Sequence, residues 1–270
     1  MPSICIATTY DPSFRDIGVY AAMTCRLYAQ RHGYALHVDD NAKCERPPAW
    51  HRVMLIPMLL DKGHDYVLWL DADAIFVRFD RDIAEVITGE HDIYLAQHDH
   101  PEYKTKVPNT GVMLVRNSVW SRNLFTKLWT MNEYINHPWW ENAAMIKTLG
   151  YHSLLGEGPD IFAEDVLSHV KFLDYGSWNF IPSICPANGD PVIRHYAGFS
   201  QEDRRLELPQ QALAACFRAL EATPPFNAET KVAGGSSRRG LHPRGSGMRS
   251  LLQWLIASFG SRDRHSRDEQ

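Results

Sequence analysis

The stretch YVLWLDADAIFV, residues 66 to 77, is an apolar run broken by two aspartates. Tyr66 to Leu70 read as a buried strand, and Ala74 to Val77 resume the apolar character directly after Asp71-Ala72-Asp73. A carboxylate in such surroundings has to be paired, hydrogen-bonded or metal-bound, because an isolated buried charge is too costly. Any fold for this chain must therefore supply partners for two like charges at the end of a core strand.

The segments around this run alternate between strand and helix. Strands are predicted over 3–7, 35–38, 66–70, 93–97 and 112–116. Helices are predicted over 17–31 (stopped by Gly33), 50–60, about 83–88, 118–132 and 138–149 (closed by Gly150). Asp82 with Glu85 three residues on makes a capping box for the third of these helices. Alternation of this kind predicts an α/β layered fold with a mostly parallel central sheet. In such sheets ligands bind beyond the carboxyl ends of the strands, which is where Asp71 and Asp73 fall. Residues i and i+2 of an extended segment share a face, so both carboxylates can converge on one hard divalent cation, Mg²⁺ or Mn²⁺. On the tripeptide alone, a cap on loop amides explains the pair equally well; Asp80-Arg81-Asp82 repeats the spacing at a helix start.

Two further segments carry chemistry-bearing residues. NTGVMLVRNSVWS (109–121) is a strand opened by Asn109 and Gly111 and followed by a capped helix. VIRHYAGFS (192–200) places His195 at a strand end with Gly198 three residues on, where a glycine lets the backbone approach a ligand closely.

The blocks WHRVMLIPMLL, YVLWLDADAIFV, NTGVMLVRNSVWS and VIRHYAGFS, in this order, resemble glycosyltransferase family 34, the galactosyl-, mannosyl- and xylosyltransferases. The resemblance covers residues 3 to about 200. It implies a GT-A fold, Rossmann-like, and a metal-dependent transfer of a hexose or pentose from a UDP- or GDP-linked sugar to a saccharide or glycolipid acceptor, with retained anomeric configuration. It implies Mn²⁺ (or Mg²⁺) held by Asp71, Asp73 and His195. The nucleotide-sugar donor would be contacted by Ala7, Thr8, Thr9 and Tyr10, and by Arg52, Asp71 and Gly198. Asn109, Glu141 and Asn142 would act at the reacting sugar. The chain departs from the family pattern in three places. Arg52 stands where a lysine is usual, Glu141-Asn142 where plant members have Asp-Gln, and Ser200 near the position of a phosphate-neutralising lysine.

Two other classes compete. A haloacid-dehalogenase-type phosphatase also uses Asp-x-Asp after an apolar strand, but Ile75 stands where that motif expects Thr or Val. A non-catalytic nucleotide-sugar-binding protein would keep the fold without turnover.

Charge is unevenly spread. The chain has a net charge of −4, yet from Lys231 onward eight Lys and Arg face three Asp and Glu, a tail of +5 on a remainder of −9. The net charge of −4 argues against nucleic acid as a partner. Residues 1–226 are predicted to form the transferase domain, and 227–270 a Gly/Ser/Arg-rich linker with a short amphipathic helix over about 248–259. That helix suits peripheral contact with an anionic membrane or docking on protein. Five scattered cysteines without C-x-x-C spacing, and an N-terminus without signal-peptide character, predict a cytoplasmic chain, peripheral to the membrane if the tail binds it.

Overall fold

The structure is a computed structural model, described here over residues 2–222 except residues 90, 101, 187 and 188. The expected tail helix over 248–259 lies outside the described residues. In chain order the elements are β1 (Ile4–Thr9), α1 (Arg15–His32), β2 (Ala35–Asp39), α2 (His51–Leu60), β3 (Tyr66–Leu70), β4 (Ala74–Phe76), β5 (Ile93–His98) and β6 (Val107–Arg116). There follow α3 (Val119–Thr130), α4 (Trp140–Thr148), the single-turn α5 (Glu164–Leu167), β7 (Val170–Leu173), the single-turn α6 (Tyr175–Trp178), β8 (Ile193–His195) and α7 (Gln201–Glu221). Six strands form one sheet in the order β2-β1-β3-β6-β5-β7, and β4 with β8 forms a second, two-stranded sheet.

β1 and β3 are buried along their whole length, as strands covered on both faces must be. In the large sheet only β6 runs against its neighbours; β2, β1, β3, β5 and β7 share one direction. Cys5, Ala7, Val67 and Trp69 belong to one core cluster with Val53 and Ile56 of α2, Leu124 and Phe125 of α3, and Ala143 and Ile146 of α4. By alternation, Ile4, Ile6, Leu68 and Leu70 point to the other face, the side on which α1 and α7 pack together. α1 ends as its sequence dictates: Gly33 takes φ of 72° and its N–H closes on the carbonyl of Ala29. Tyr28 of α1 stacks on Phe76 of β4 with centroids 3.8 Å apart, so α1 supports the small sheet as well as the large one.

Three expectations change. Residues 83–86 form a 3-10 turn, not an α-helix, although the Asp82–Glu85 capping box is present; the segment is too short to go beyond one turn. The strand predicted over 112–116 begins at Val107, which puts Asn109 and Gly111 inside β6 rather than ahead of it. The two aspartates do not share an extended strand: the Ala74 N–H donates to the carbonyl of Asp71 at 2.9 Å, closing a turn between β3 and β4. Asp71 continues the Val67–Trp69 row, and the turn swings Asp73 toward the small sheet, where Ala74 pairs with His195.

At the end of β1, Tyr10 is 7% exposed and lies directly over Gly18 of α1. A Cβ at Gly18 would fall 2.3 Å from Tyr10 Cγ and 2.9 Å from its Cβ. Because Tyr10 N–H is also tied to the Asp39 carbonyl at 2.9 Å, the ring cannot slide away cheaply. Gly18→Ala is expected to lower stability by about 1–3 kcal/mol, read as a lower urea midpoint; an unchanged midpoint would show that the contact is not tight in solution.

Candidate active site

At the carboxyl end of β3 each aspartate is divided between an arginine on one oxygen and His195 on the other, and Asp71 has Trp69 as a third partner. Asp71 Oδ1 accepts from Trp69 Nε1 at 2.8 Å and from Arg52 Nη2 at 2.7 Å, while its Oδ2 lies 3.8 Å from His195 Nε2. Asp73 Oδ2 accepts from Arg204 Nε at 2.8 Å, while its Oδ1 lies 3.4 Å from the same His195 nitrogen. One ligand atom from each of Asp71, Asp73 and His195 lies within 4.8 Å of the others. Burial works against ionisation of Asp73, but its His195 and Arg204 contacts outweigh burial and hold the carboxyl below its ordinary range.

Sequence features explain this convergence. β8 pairs with β4, so His195 reaches the aspartates through the strand that directly follows them. Its ring lies against β6 at Gly111, where a Cβ would stand 2.1 Å from His195 Cε1; glycine is required there for close approach. His195 Nδ1 bonds to Asn179 Oδ1 at 2.9 Å. Two carboxylates and an imidazole suit a divalent cation in donor type, and the nitrogen facing the carboxylates makes no other bond among the described residues.

A second cluster adjoins the first through Arg52. Its guanidinium donates to Thr110 O at 2.7 Å, to Ala49 O at 3.1 Å, to Glu141 Oε1 at 3.1 Å and to Asp71. Thr110 N–H donates to Asn142 Oδ1 at 3.0 Å, and Thr110 Oγ1 stands within hydrogen-bond distance of both Glu141 Oε1 and Asn142 Oδ1. Asn142 Nδ2 reaches Pro108 O at 3.3 Å. The first turn of α4 is thus bolted to β6, and Arg52 is occupied by protein acceptors. Glu141 is 3% exposed, and its Oε2 has no hydrogen-bond partner among the described residues. Burial pushes its carboxyl up to about 7, against the pull of Arg52. Just before it, Trp140 adopts φ of 44° and is 46% exposed, a conformation costly for a bulky residue and most often kept at functional sites.

The remaining sequence-selected residues are placed as follows. Ala7 and Thr8 are fully buried in β1; Thr8 Oγ1 has no hydrogen-bond partner among the described residues. Thr9 Oγ1 lies 3.3 Å from His51 Nδ1, and burial lowers the His51 pKa. Gly198 takes φ of 78° in the turn after β8. Asn109 Oδ1 accepts from Gly111 N–H at 2.9 Å and from Asn179 Nδ2 at 3.0 Å. Thr110, Asn179 and Arg204 were not singled out in the sequence. Arg204 had a signal: Ser200 with Asp203 three residues on is a helix start, and Ser200 caps α7, which puts Arg204 in its first turn.

The family model for nucleotide-diphospho-sugar transferases matches residues 43–198, more than half of the chain and including Arg52, the aspartate pair, Glu141 and His195. The chain belongs to this family. No curated protein matches it in sequence. Among solved structures, this transferase is similar to a glycosyltransferase involved in glycosylation of the major capsid of PBCV-1. That match has 17% identity and a TM-score of 0.60, over 77% of this chain and 100% of the other. It is also similar to an active-site mutant of LgtC (15% identity, TM-score 0.51, 79% of this chain and 95% of the other). GlyE of Streptococcus pneumoniae TIGR4 matches at 15% identity and a TM-score of 0.50, over 82% of this chain and 64% of the other. The fold of this transferase is GT-A, and the protein is a glycosyltransferase by family. The phosphatase and binding-only readings are not favoured.

Glu141 gives a pH test. Its folded-state value of about 7 lies above the ordinary 4.5, so the folded protein holds this proton more tightly than the unfolded chain. The stability this confers is complete below about 4.5 and is lost as pH rises through about 7. The loss is at most about 3 kcal/mol. Glu141→Gln is expected to flatten the stability profile across this window in chemical denaturation; an identical slope in the variant would show that Glu141 ionises normally.

Proposed function

We propose that this chain is a Mn²⁺- or Mg²⁺-dependent retaining glycosyltransferase. It moves a hexose or pentose from a UDP- or GDP-linked donor to a saccharide or glycolipid acceptor. The observation that carries this reading is the meeting of Asp71, Asp73 and His195 beyond the carboxyl end of β3, in a chain of the nucleotide-diphospho-sugar transferase family. Asp71, Asp73 and His195 would hold the cation, which when bound acts as a Lewis acid on the diphosphate.

The chain's own residues supply the remaining functions. Thr9 and Tyr10 stand at the end of β1, the strand beside β3, and suit the nucleotide, with Ala7 and Thr8 beneath them. Gly198 lets the backbone after β8 approach the donor. Arg52 acts on the donor indirectly, by fixing Asp71. Asn109 has its Oδ1 engaged by protein, which leaves its NH₂ to face the donor sugar. Glu141 Oε1 is held by Arg52 and Thr110, and the buried Oε2, which has no partner among the described residues, is the atom with which it would orient the reacting sugar. Asn142 holds α4 in place for it.

Mn²⁺-dependent nucleotide release across UDP-galactose, UDP-glucose, UDP-xylose and GDP-mannose tests the reaction and finds the donor. Asp73→Asn is expected to lower turnover at least about 10²-fold, since it removes a charged ligand of the cation that would stabilise the departing diphosphate; turnover at the wild-type rate would sink the metal reading.

Among the described residues no helix is long and apolar enough to cross a membrane. The basic charge of residues 231–270 supports peripheral contact with anionic lipid. Deleting residues 240–270 is expected to release the protein from acidic liposomes while leaving Mn²⁺ binding unchanged; equal liposome binding with and without the tail disposes of that contact.

A further inference from the structure

The orientation of an Asn side chain and the tautomer of a His ring each allow two assignments until the hydrogen bonds around them are traced. Around His195 a chain of hydrogen bonds removes the ambiguity, because it starts from a donor that cannot be flipped. The backbone N–H of Gly111 points at Asn109 at 2.9 Å, so the atom it meets must be Oδ1. The same Oδ1 is 3.0 Å from the side chain of Asn179. Only the NH₂ of Asn179 can face an oxygen acceptor, so its own Oδ1 points the other way, at His195 Nδ1, 2.9 Å off. An amide oxygen can only accept. His195 Nδ1 therefore carries a hydrogen, and Nε2 is the nitrogen whose lone pair is left for a proton or a cation.

The relay is rigid. Asn179 is 1% exposed, and its backbone carbonyl accepts from His98 Nε2 at 2.9 Å. The next residue, Phe180, accepts from the His195 backbone N–H at 2.8 Å and donates to the Ile193 carbonyl at 3.0 Å. Asn179 is thus locked to the strand that carries His195. Gly111 takes part twice, by its N–H at the head of the relay and by the missing Cβ that admits the His195 ring.

We propose that Asn179 is a positioning residue that holds His195 as the Nδ1–H tautomer, with Nε2 presented between Asp71 and Asp73. Its own orientation is set through Asn109 by the Gly111 backbone. Metal-ligating histidines depend on such a partner, whose loss costs about 10–100-fold in affinity. This inference rests on the metal reading above only for its consequence. The tautomer itself belongs to the metal-free protein.

The test uses the full chain with Asn179→Leu, Asn109→Leu and Asn109→Asp. Two quantities are read: Mn²⁺ affinity by calorimetry, and the ¹⁵N shifts of the neutral His195 ring in metal-free protein. In the wild type Nδ1 should give the protonated shift and Nε2 the unprotonated one. Asn179→Leu should mix the tautomers and weaken Mn²⁺ about 10–100-fold. Asn109→Leu should do both to a smaller extent. Asn109→Asp keeps an oxygen for Gly111 and Asn179 and should hold the wild-type tautomer with affinity no weaker than wild type. Should Asn179→Leu fail to fold, the two Asn109 variants decide. An unchanged tautomer in both leucine variants, or identical behaviour of Asn109→Leu and Asn109→Asp, overturns the relay. A wild type that shows the Nδ1–H tautomer but takes up no Mn²⁺ overturns the metal reading and leaves the relay standing.

Discussion

Asp71 and Asp73 are each anchored through one oxygen by an arginine, Arg52 on one side and Arg204 on the other, and each turns its second oxygen toward His195. Much of the structure serves this arrangement. Arg52 has to be buried to reach Asp71, so Thr110, Ala49 and Glu141 accept from its other two nitrogens. Arg204 has to arrive from the far side, so the chain continues past β8 into α7, capped by Ser200. The two carboxylates, separated by the turn that Ala74 N–H and Asp71 O close, go to different arginines.

The layered α/β fold was legible because its signals are local. The uniformly apolar runs of β1 and β3, the Gly33 stop and the Ser118 cap each act within a few residues. The two-stranded sheet was not legible. Ala74 to Phe76 and Ile193 to His195 are three residues each and pair across more than a hundred positions, and no periodicity can develop over three residues. At Asp82 the capping box was legible but the helix length was not, since a cap marks a start and says nothing of how far apolar contacts continue.

The candidate site divides along the same line. Asp71, Asp73 and His195 stood out because each is a charged or titratable residue in an apolar or strand-end setting. Thr110 and Asn179 did not, because a threonine inside a strand and an asparagine after one helical turn are ordinary in sequence. Their importance comes only from what the fold places against them: Arg52, Glu141 and Asn142 for Thr110, His195 and Asn109 for Asn179. The family resemblance pointed to Asn109, Glu141 and Asn142 as one group at the sugar. The structure gives them distinct supports, Asn109 on the His195 side and the other two on the Arg52 side.

The charges also bear on the lysine missing near Ser200. Asp71 and Asp73 are matched one to one by Arg52 and Arg204, and Glu141, with burial holding its carboxyl up to about 7, adds at most a partial charge near neutrality. The protein's own groups therefore come close to cancelling before any ligand enters. A carboxylate pair without arginines would use up most of the charge of a divalent cation in offsetting its own. Here the arginines already offset the carboxylates, and a cation held by Asp71, Asp73 and His195, as proposed, would keep its charge for the diphosphate. On this reading Arg204 answers for the absent lysine through Asp73, without having to touch phosphate itself.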